Sequence, residues 1–135
     1  MRQQRHKDLK KECDLLWSET IKARAGYKSE LSGKTERLNS HHLKGKNSYA
    51  LRYSLENGFC CTSGEHNFGF HNTERRASFE ERVKRLRGAD IFERLEKLKW
   101  CKSKVDLGMI KAYLKQELGK FKPVAGKSDR WAGTV

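Results

Sequence analysis

Apolar residues are scarce in this chain. Of 135 residues, 36% are hydrophobic and 35% charged, so the core is expected to be modest and wrapped in long charged side chains. The longest apolar runs are a few residues, too short to cross a bilayer. The opening stretch, MRQQRHKDLKKE, is polar and lacks the apolar centre that a signal peptide needs. No C-x-x-C occurs: the four cysteines are Cys13, Cys60, Cys61 and Cys101, two of them adjacent. Neighbouring cysteines rarely bridge each other, and without a secretion signal the four read as reduced thiols in a cytoplasm. A four-cysteine zinc knuckle is disfavoured for the same reason. Acids are short as well. Seventeen Asp and Glu stand against 30 Lys and Arg, a net charge of +13. That excess favours a polyanionic partner, most often nucleic acid. A membrane surface is disfavoured, because the basic helices carry acids too. There is no internal repeat and no low-complexity tract.

What is present fits one domain of ordinary size. Leu9, Cys13, Leu16, Trp17, Thr20 and Ile21 recur at helical spacing, which predicts a helix over 8–24 that Gly26 ends. Ser32-Gly33 offers a turn, followed by a short extended piece running to His41 and His42. SYALRYSLE is expected to form a helical turn. NGFCCTS reads as a second short strand entered through Asn57-Gly58. Another short helix or turn should carry His66 toward His71. Ser78 and Glu81 make an S-x-x-E capping pattern ahead of Val83 and Leu86. Gly88 breaks that helix. Asp90 is expected to cap a next one bearing Ile91, Phe92, Leu95 and Leu98. Asp106 is expected to cap a last one with Leu107, Ile110, Leu114 and Leu118 on one face. Trp17, Trp100 and Tyr113 sit at or near apolar helical positions and read as core filling before base stacking.

Four of the five histidines fall between positions 41 and 71. His42 precedes Asn57 by 15 positions and Asn57 precedes His66 by nine, giving H-H-x14-N-x8-H. With this spacing, and with LWSETIKARAGY, SGK and ALRYSLENGF around it, the chain resembles the HNH endonucleases. It is most similar to the small HNH proteins of bacteriophages. The likeness runs from about residue 12 to 98, including ERRASFEERVKRLRGADIFERLEKL, which resembles the usual helical extension.

The resemblance implies an α+β, mostly helical fold: a ββα-metal (HNH) hairpin-helix core with flanking helices. It divides the chain into a basic N-terminal helix (1–28), the HNH core (29–73), a C-terminal helical extension (74–121) and a mobile tail (122–135). It implies metal-dependent hydrolysis of DNA phosphodiester bonds, by nicking or by cutting, with 5′-phosphate and 3′-hydroxyl products. The hairpin-helix would sit over the minor-groove side of the scissile phosphate. His42 is then the general base, Asn57 the residue that pins the hairpin and orients it, and His41 and His66 metal ligands. His71 is either a third ligand or a phosphate-facing histidine. The cofactor would be one divalent ion, Mg²⁺ or Mn²⁺ in catalysis, with Zn²⁺ or Ni²⁺ also suited to a histidine site. Duplex DNA with weak sequence preference is the expected partner, since no recognition helix of known kind is evident. Packaging or recombination proteins of a phage, in the host cytoplasm, are the setting the likeness suggests. A non-catalytic DNA-binding or packaging accessory with the same fold is the alternative.

The residue types suit that chemistry. An in-line water needs a base near pH 7, and an imidazole with an ordinary pKa of about 6.5 supplies one. Charge on the phosphate and on the leaving oxygen needs neutralising. Lys44, Lys46, Arg75 and Arg76 are candidate phosphate contacts, and Arg82, Lys84, Arg85 and Arg87 extend the basic face. Arg52 either joins them or pairs with Glu56 four residues on. One departure from the family stands out. Relatives hold a structural zinc with C-x-x-C pairs, whereas here Ser29 and Ser32 occupy the first pair's place and only Cys60 or Cys61 remains near the second. The zinc is expected to be absent and the hairpin to rest on Leu38, Leu51, Leu55 and Phe59. Cys60 and Cys61 read as packed thiols.

Overall fold

In a computed structural model, residues 2–65, 73–101 and 106–121 are described. The order of elements is α1 (Arg2–Arg24), β1 (Leu38–His42), α2 (Tyr49–Arg52), β2 (Gly58–Thr62), α3 (Thr73–Arg87), α4 (Ile91–Lys99) and α5 (Leu107–Phe121). The class is α+β and mostly helical, with one two-stranded antiparallel sheet among the described residues. No helix among them is long and apolar enough to cross a membrane.

The helix expected over 8–24 starts six residues earlier, because RQQRHK is mostly Arg, Gln and Lys, good helix formers, and holds no Gly or Pro to stop them. It ends as the sequence indicates. The Tyr27 amide reaches the Lys22 carbonyl and the Gly26 amide the Ala23 carbonyl, with Gly26 at φ +69°. That is a Schellman closure, which needs a left-handed residue at the Gly26 position. Two of the expected caps differ. Ser78 lies inside α3, not at its start, because helical structure already begins at Thr73. Asp90 stands at the N-cap of α4 but makes no capping bond; its carboxylate pairs with Arg94 one turn on. Asp106 does cap α5, accepting from the amides of Gly108 at 2.8 Å and Met109 at 3.3 Å.

The sheet separates two apolar clusters. Strand registry pairs His41 with Phe59 and His42 with Gly58. Side chains alternate across a strand, and β2 obeys this with all five residues buried. Cys60 enters one cluster with Cys13, Trp17, Ile21, Tyr53, Leu107 and Leu114. Phe59 and Cys61 enter the other with Leu51, Phe79, Val83, Ile91 and Leu95. Helices α1 and α5 therefore cover one face of the hairpin and α3 and α4 the other. Of the four residues expected to hold the hairpin, Leu51 and Phe59 are fully buried, and Leu38 and Leu55 are partly buried against the first cluster.

Gly58 shows why Asn57 is followed by glycine. A Cβ at Gly58 would overlap the Ile21 side chain and lie 3.0 Å from Cζ2 of Trp17. Helix α1 thus packs directly on β2 backbone. Gly58→Ala should destabilise the protein by about 2 kcal/mol through overpacking, read as a lower urea midpoint. An unchanged midpoint would mean that α1 shifts freely on the sheet.

Candidate functional site

The sheet places His41 and His42 on opposite faces. The His41 ring lies edge-on to Phe79 of α3, with centroids 6.4 Å apart. The His42 ring turns to α1 and stacks flat on Trp17, with centroids 3.9 Å apart and planes 4° from parallel. His42 Nε2 sits 3.0 Å from the backbone carbonyl of Arg52. A carbonyl only accepts, so Nε2 carries the proton and Nδ1 keeps its lone pair. Burial holds the imidazole below its ordinary pKa; the cationic Lys46 and Arg52 act in the same direction, and the bond to the Arg52 carbonyl opposes them. The ring is thereby kept neutral near pH 7.

Asn57 organises the loop between the strands. It is fully buried. Its Oδ1 accepts from the Lys44 amide at 2.8 Å, and its Nδ2 donates to the carbonyls of Gly45 and Leu51 at 2.8 and 2.9 Å. Its own carbonyl takes the Leu43 amide at 2.8 Å. Leu51 precedes the residue whose carbonyl holds His42, so Asn57 acts on His42 through one step of backbone.

Helix α1 braces the same loop from outside. Asp14, Trp17, Ile21 and Arg24 are spaced three and four residues apart and share one face. Asp14 takes both prongs of Arg52, Nε and Nη2 each at 2.7 Å. The indole N–H of Trp17 donates to the Ser54 carbonyl at 2.9 Å. Arg24 donates to the carbonyls of Leu55 and Gly58 at 2.7 and 2.8 Å. Arg52 therefore pairs with neither Glu56 nor open solvent. Its guanidinium is committed to Asp14, and Glu56 pairs with Arg94. Trp17 fills the core as expected, whereas Trp100 and Tyr113 are exposed; the Trp17 ring face also forms the floor under His42. Nothing local in the sequence signals this, because Trp17 lies 25 positions before the histidine it touches.

The remaining candidates divide. Lys44 is half-buried and bridges to Glu96 at 3.0 Å. Lys46 is exposed. Arg76 is exposed and paired with Glu80 at 3.5 Å. Arg82, Lys84 and Arg85 are exposed along α3, whereas Arg87 leaves the basic face. It is largely buried, pairs with Glu30 at 2.6 Å and lies over the Phe59 ring. His66, His71 and the side chain of Arg75 lie outside the described residues. Among the described residues, no three His, Cys, Asp or Glu side chains converge as a metal site.

Around Ser29 and Ser32, hydrogen bonds do the holding. Ser29 Oγ accepts from the amides of Leu31 and Ser32 and donates to Glu65 Oε1 at 2.6 Å. Glu65 also takes the Thr62 amide at 2.8 Å. Glu30 bonds β2 twice, through its amide to the Cys60 carbonyl and through Oε2 to the Cys60 amide, each at 2.8 Å. Burial pushes the thiols of Cys60 and Cys61 up to about 11 and about 12, so both are neutral packed groups, as read from the sequence. For Glu65, burial raises the carboxyl, but the hydroxyls of Ser29 and Ser32 and the Thr62 donors outweigh it and hold it below the ordinary value. Asp14 is likewise depressed: burial is outweighed by Arg52 and Tyr53.

These depressed carboxyls add stability that is present above their unfolded values, near pH 4, and is lost as pH falls through the folded ones. Stability should therefore drop below about pH 4. In Glu65→Gln part of that drop should vanish, as followed by urea unfolding across the acid range. An identical acid profile would remove Glu65 from the clasp. No family model, curated protein or solved structure matches the chain.

Proposed function

We propose that the protein is a metal-dependent endonuclease of the HNH type, hydrolysing DNA phosphodiester bonds with His42 as general base. The observation that carries this reading is the state of His42. Its Nε2–H is spent on a backbone carbonyl, its ring is neutral, and Nδ1 is left as a base. This is what deprotonation of an attacking water requires. The H-H-x14-N-x8-H spacing adds to it, as does Asn57, which ties the hairpin loop at both ends. His41, with His66 and His71, would hold the divalent ion. Imidazole nitrogens suit such an ion, and the ligand set needs at least one histidine outside the described residues. When bound, the ion supplies charge neutralisation at the phosphate and the leaving 3′-oxygen. His42 would take the proton of the in-line water, and exposed cations such as Lys46, Arg76, Arg82 and Arg85 would hold the duplex by its phosphates.

The deciding experiment is relaxation of supercoiled plasmid across Mg²⁺, Mn²⁺, Zn²⁺ and Ni²⁺. Relaxation with at least one of them, stopped by chelator, is the expected result. Binding without relaxation under every metal would point to a DNA-binding accessory instead. The binding itself should be electrostatic. With chelator present, log affinity for duplex DNA should fall linearly with log salt at about −0.9 per phosphate neutralised. Five or six contacts cost roughly 10³-fold between about 50 and 200 mM, and a scrambled duplex should bind equally well. A slope near zero would mean that the +13 charge serves something other than phosphate contact.

A further inference from the structure

We propose that Trp17, supported by Asp14, is a positioning residue for His42, fixing both the orientation of the imidazole and the nitrogen it offers to water. The inference rests on the reading of His42 as general base and adds to it the element that aims that base. Three contacts define the ring. Trp17 covers one face at 3.9 Å with planes 4° apart, so rotation of the imidazole out of its plane would collide with the indole. The Arg52 carbonyl fixes the edge through Nε2 at 3.0 Å. The strand backbone fixes the Cβ.

The first two contacts are coupled through α1. Trp17 does not merely lie beneath the histidine: its N–H holds the Ser54 carbonyl at 2.9 Å, two residues beyond the carbonyl that His42 uses. Asp14, one helical turn before Trp17, grips the Arg52 side chain with both oxygens at 2.7 Å. One face of one helix thus holds the imidazole from below and the carbonyl that selects its tautomer from the side. Without Asp14 the Arg52 side chain loses its tether to α1, and the carbonyl is held only from its own loop, by the Arg52 amide on the Ser48 carbonyl and by Asn57 on the Leu51 carbonyl. Without the indole, the ring gains room to turn and exchange which nitrogen meets the carbonyl. Arg24 completes the brace at Leu55 and Gly58 and does not touch the histidine, so it serves the loop alone.

The test uses the full chain with ¹⁵N-labelled histidine at pH 8, where the ring is neutral, together with plasmid relaxation kinetics. The wild type should show His42 as a single tautomer, with a protonated Nε2 and a pyridine-type Nδ1. In Trp17→Leu the two nitrogen shifts should move toward each other, and kcat should fall about 10²-fold with KM little changed. Trp17→Phe, which keeps a flat ring but not the N–H, should recover most of the loss. Folded Trp17→Leu with wild-type nitrogen shifts, or with wild-type kcat, overturns the proposal. Should Trp17→Leu not fold, Asp14→Ala carries the test, because the Asp14 side chain is 37% exposed. The same convergence of shifts is then expected, and unchanged shifts overturn the proposal. Failure of the nuclease reading is separable. A wild type that relaxes no plasmid under any metal removes the general-base role, while the nitrogen shifts still decide whether Trp17 and Asp14 fix the ring.

Discussion

His42→Ala should bind duplex DNA and metal like the wild type yet cleave at least about 10²-fold more slowly, the ordinary contribution of a positioned general base. The expectation follows from what the imidazole does and does not support. Its contacts are one stacked face and one bond to a backbone carbonyl, and it lies across the sheet from His41. Its removal therefore costs some packing on Trp17 but leaves the hairpin register and the His41 face in place. Glutamine at the same position is a useful second variant, because its side-chain amide can donate to the Arg52 carbonyl without offering a base of suitable pKa. It should be as inactive as alanine and more stable. Wild-type cleavage by either variant, measured as initial relaxation rate at saturating metal, would show that another group activates the water.

Asn57→Ala should be the most damaging single substitution for stability. The side chain is fully buried and makes three hydrogen bonds, all to backbone. Truncation leaves the Lys44 amide and the carbonyls of Gly45 and Leu51 without that partner. A buried group left unpaired costs about 1–3 kcal/mol; Gly45 is exposed and the Leu51 carbonyl keeps the Ser54 amide at 3.3 Å, so a total of about 3 kcal/mol is expected, a large part of the roughly 5–15 kcal/mol that holds a domain together. Asn57→Asp should be comparably harmful, since it exchanges two donors for an acceptor facing two carbonyls. Chemical denaturation provides the measurement. A loss below about 1 kcal/mol would show that the loop is held by α1 alone. Because the Arg52 carbonyl hangs on the same loop, cleavage by any folded Asn57 variant should fall more than its stability predicts.

The sequence alone determined most of the elements. Its helical periodicities place α1, α4 and α5, because each has an apolar stripe that must be buried. Asp106 starts one helix and Gly26 ends another for local reasons of hydrogen bonding and backbone freedom, and local reasons are legible in sequence. His42 and Asn57 were legible as a pair only through spacing and likeness to a family; neither composition nor periodicity marks them. Local rules failed where a distant partner competes. Asp90 gives up its cap for Arg94, Ser78 is absorbed into a helix that begins earlier, and Arg52 turns from Glu56 to Asp14. An ion pair four residues apart on a short exposed turn stabilises little, whereas the two-pronged contact to Asp14 is partly shielded and geometrically matched. Arg87 is the same lesson on α3: it reads as one more cation on a basic face and instead lies largely buried against Glu30 and Phe59. Only tertiary structure could decide that Trp17 lies flat against His42. That contact joins residues 25 positions apart through the packing of a helix on a glycine, and the physical requirement, a missing Cβ at Gly58, becomes visible only once the helix lies on the strand.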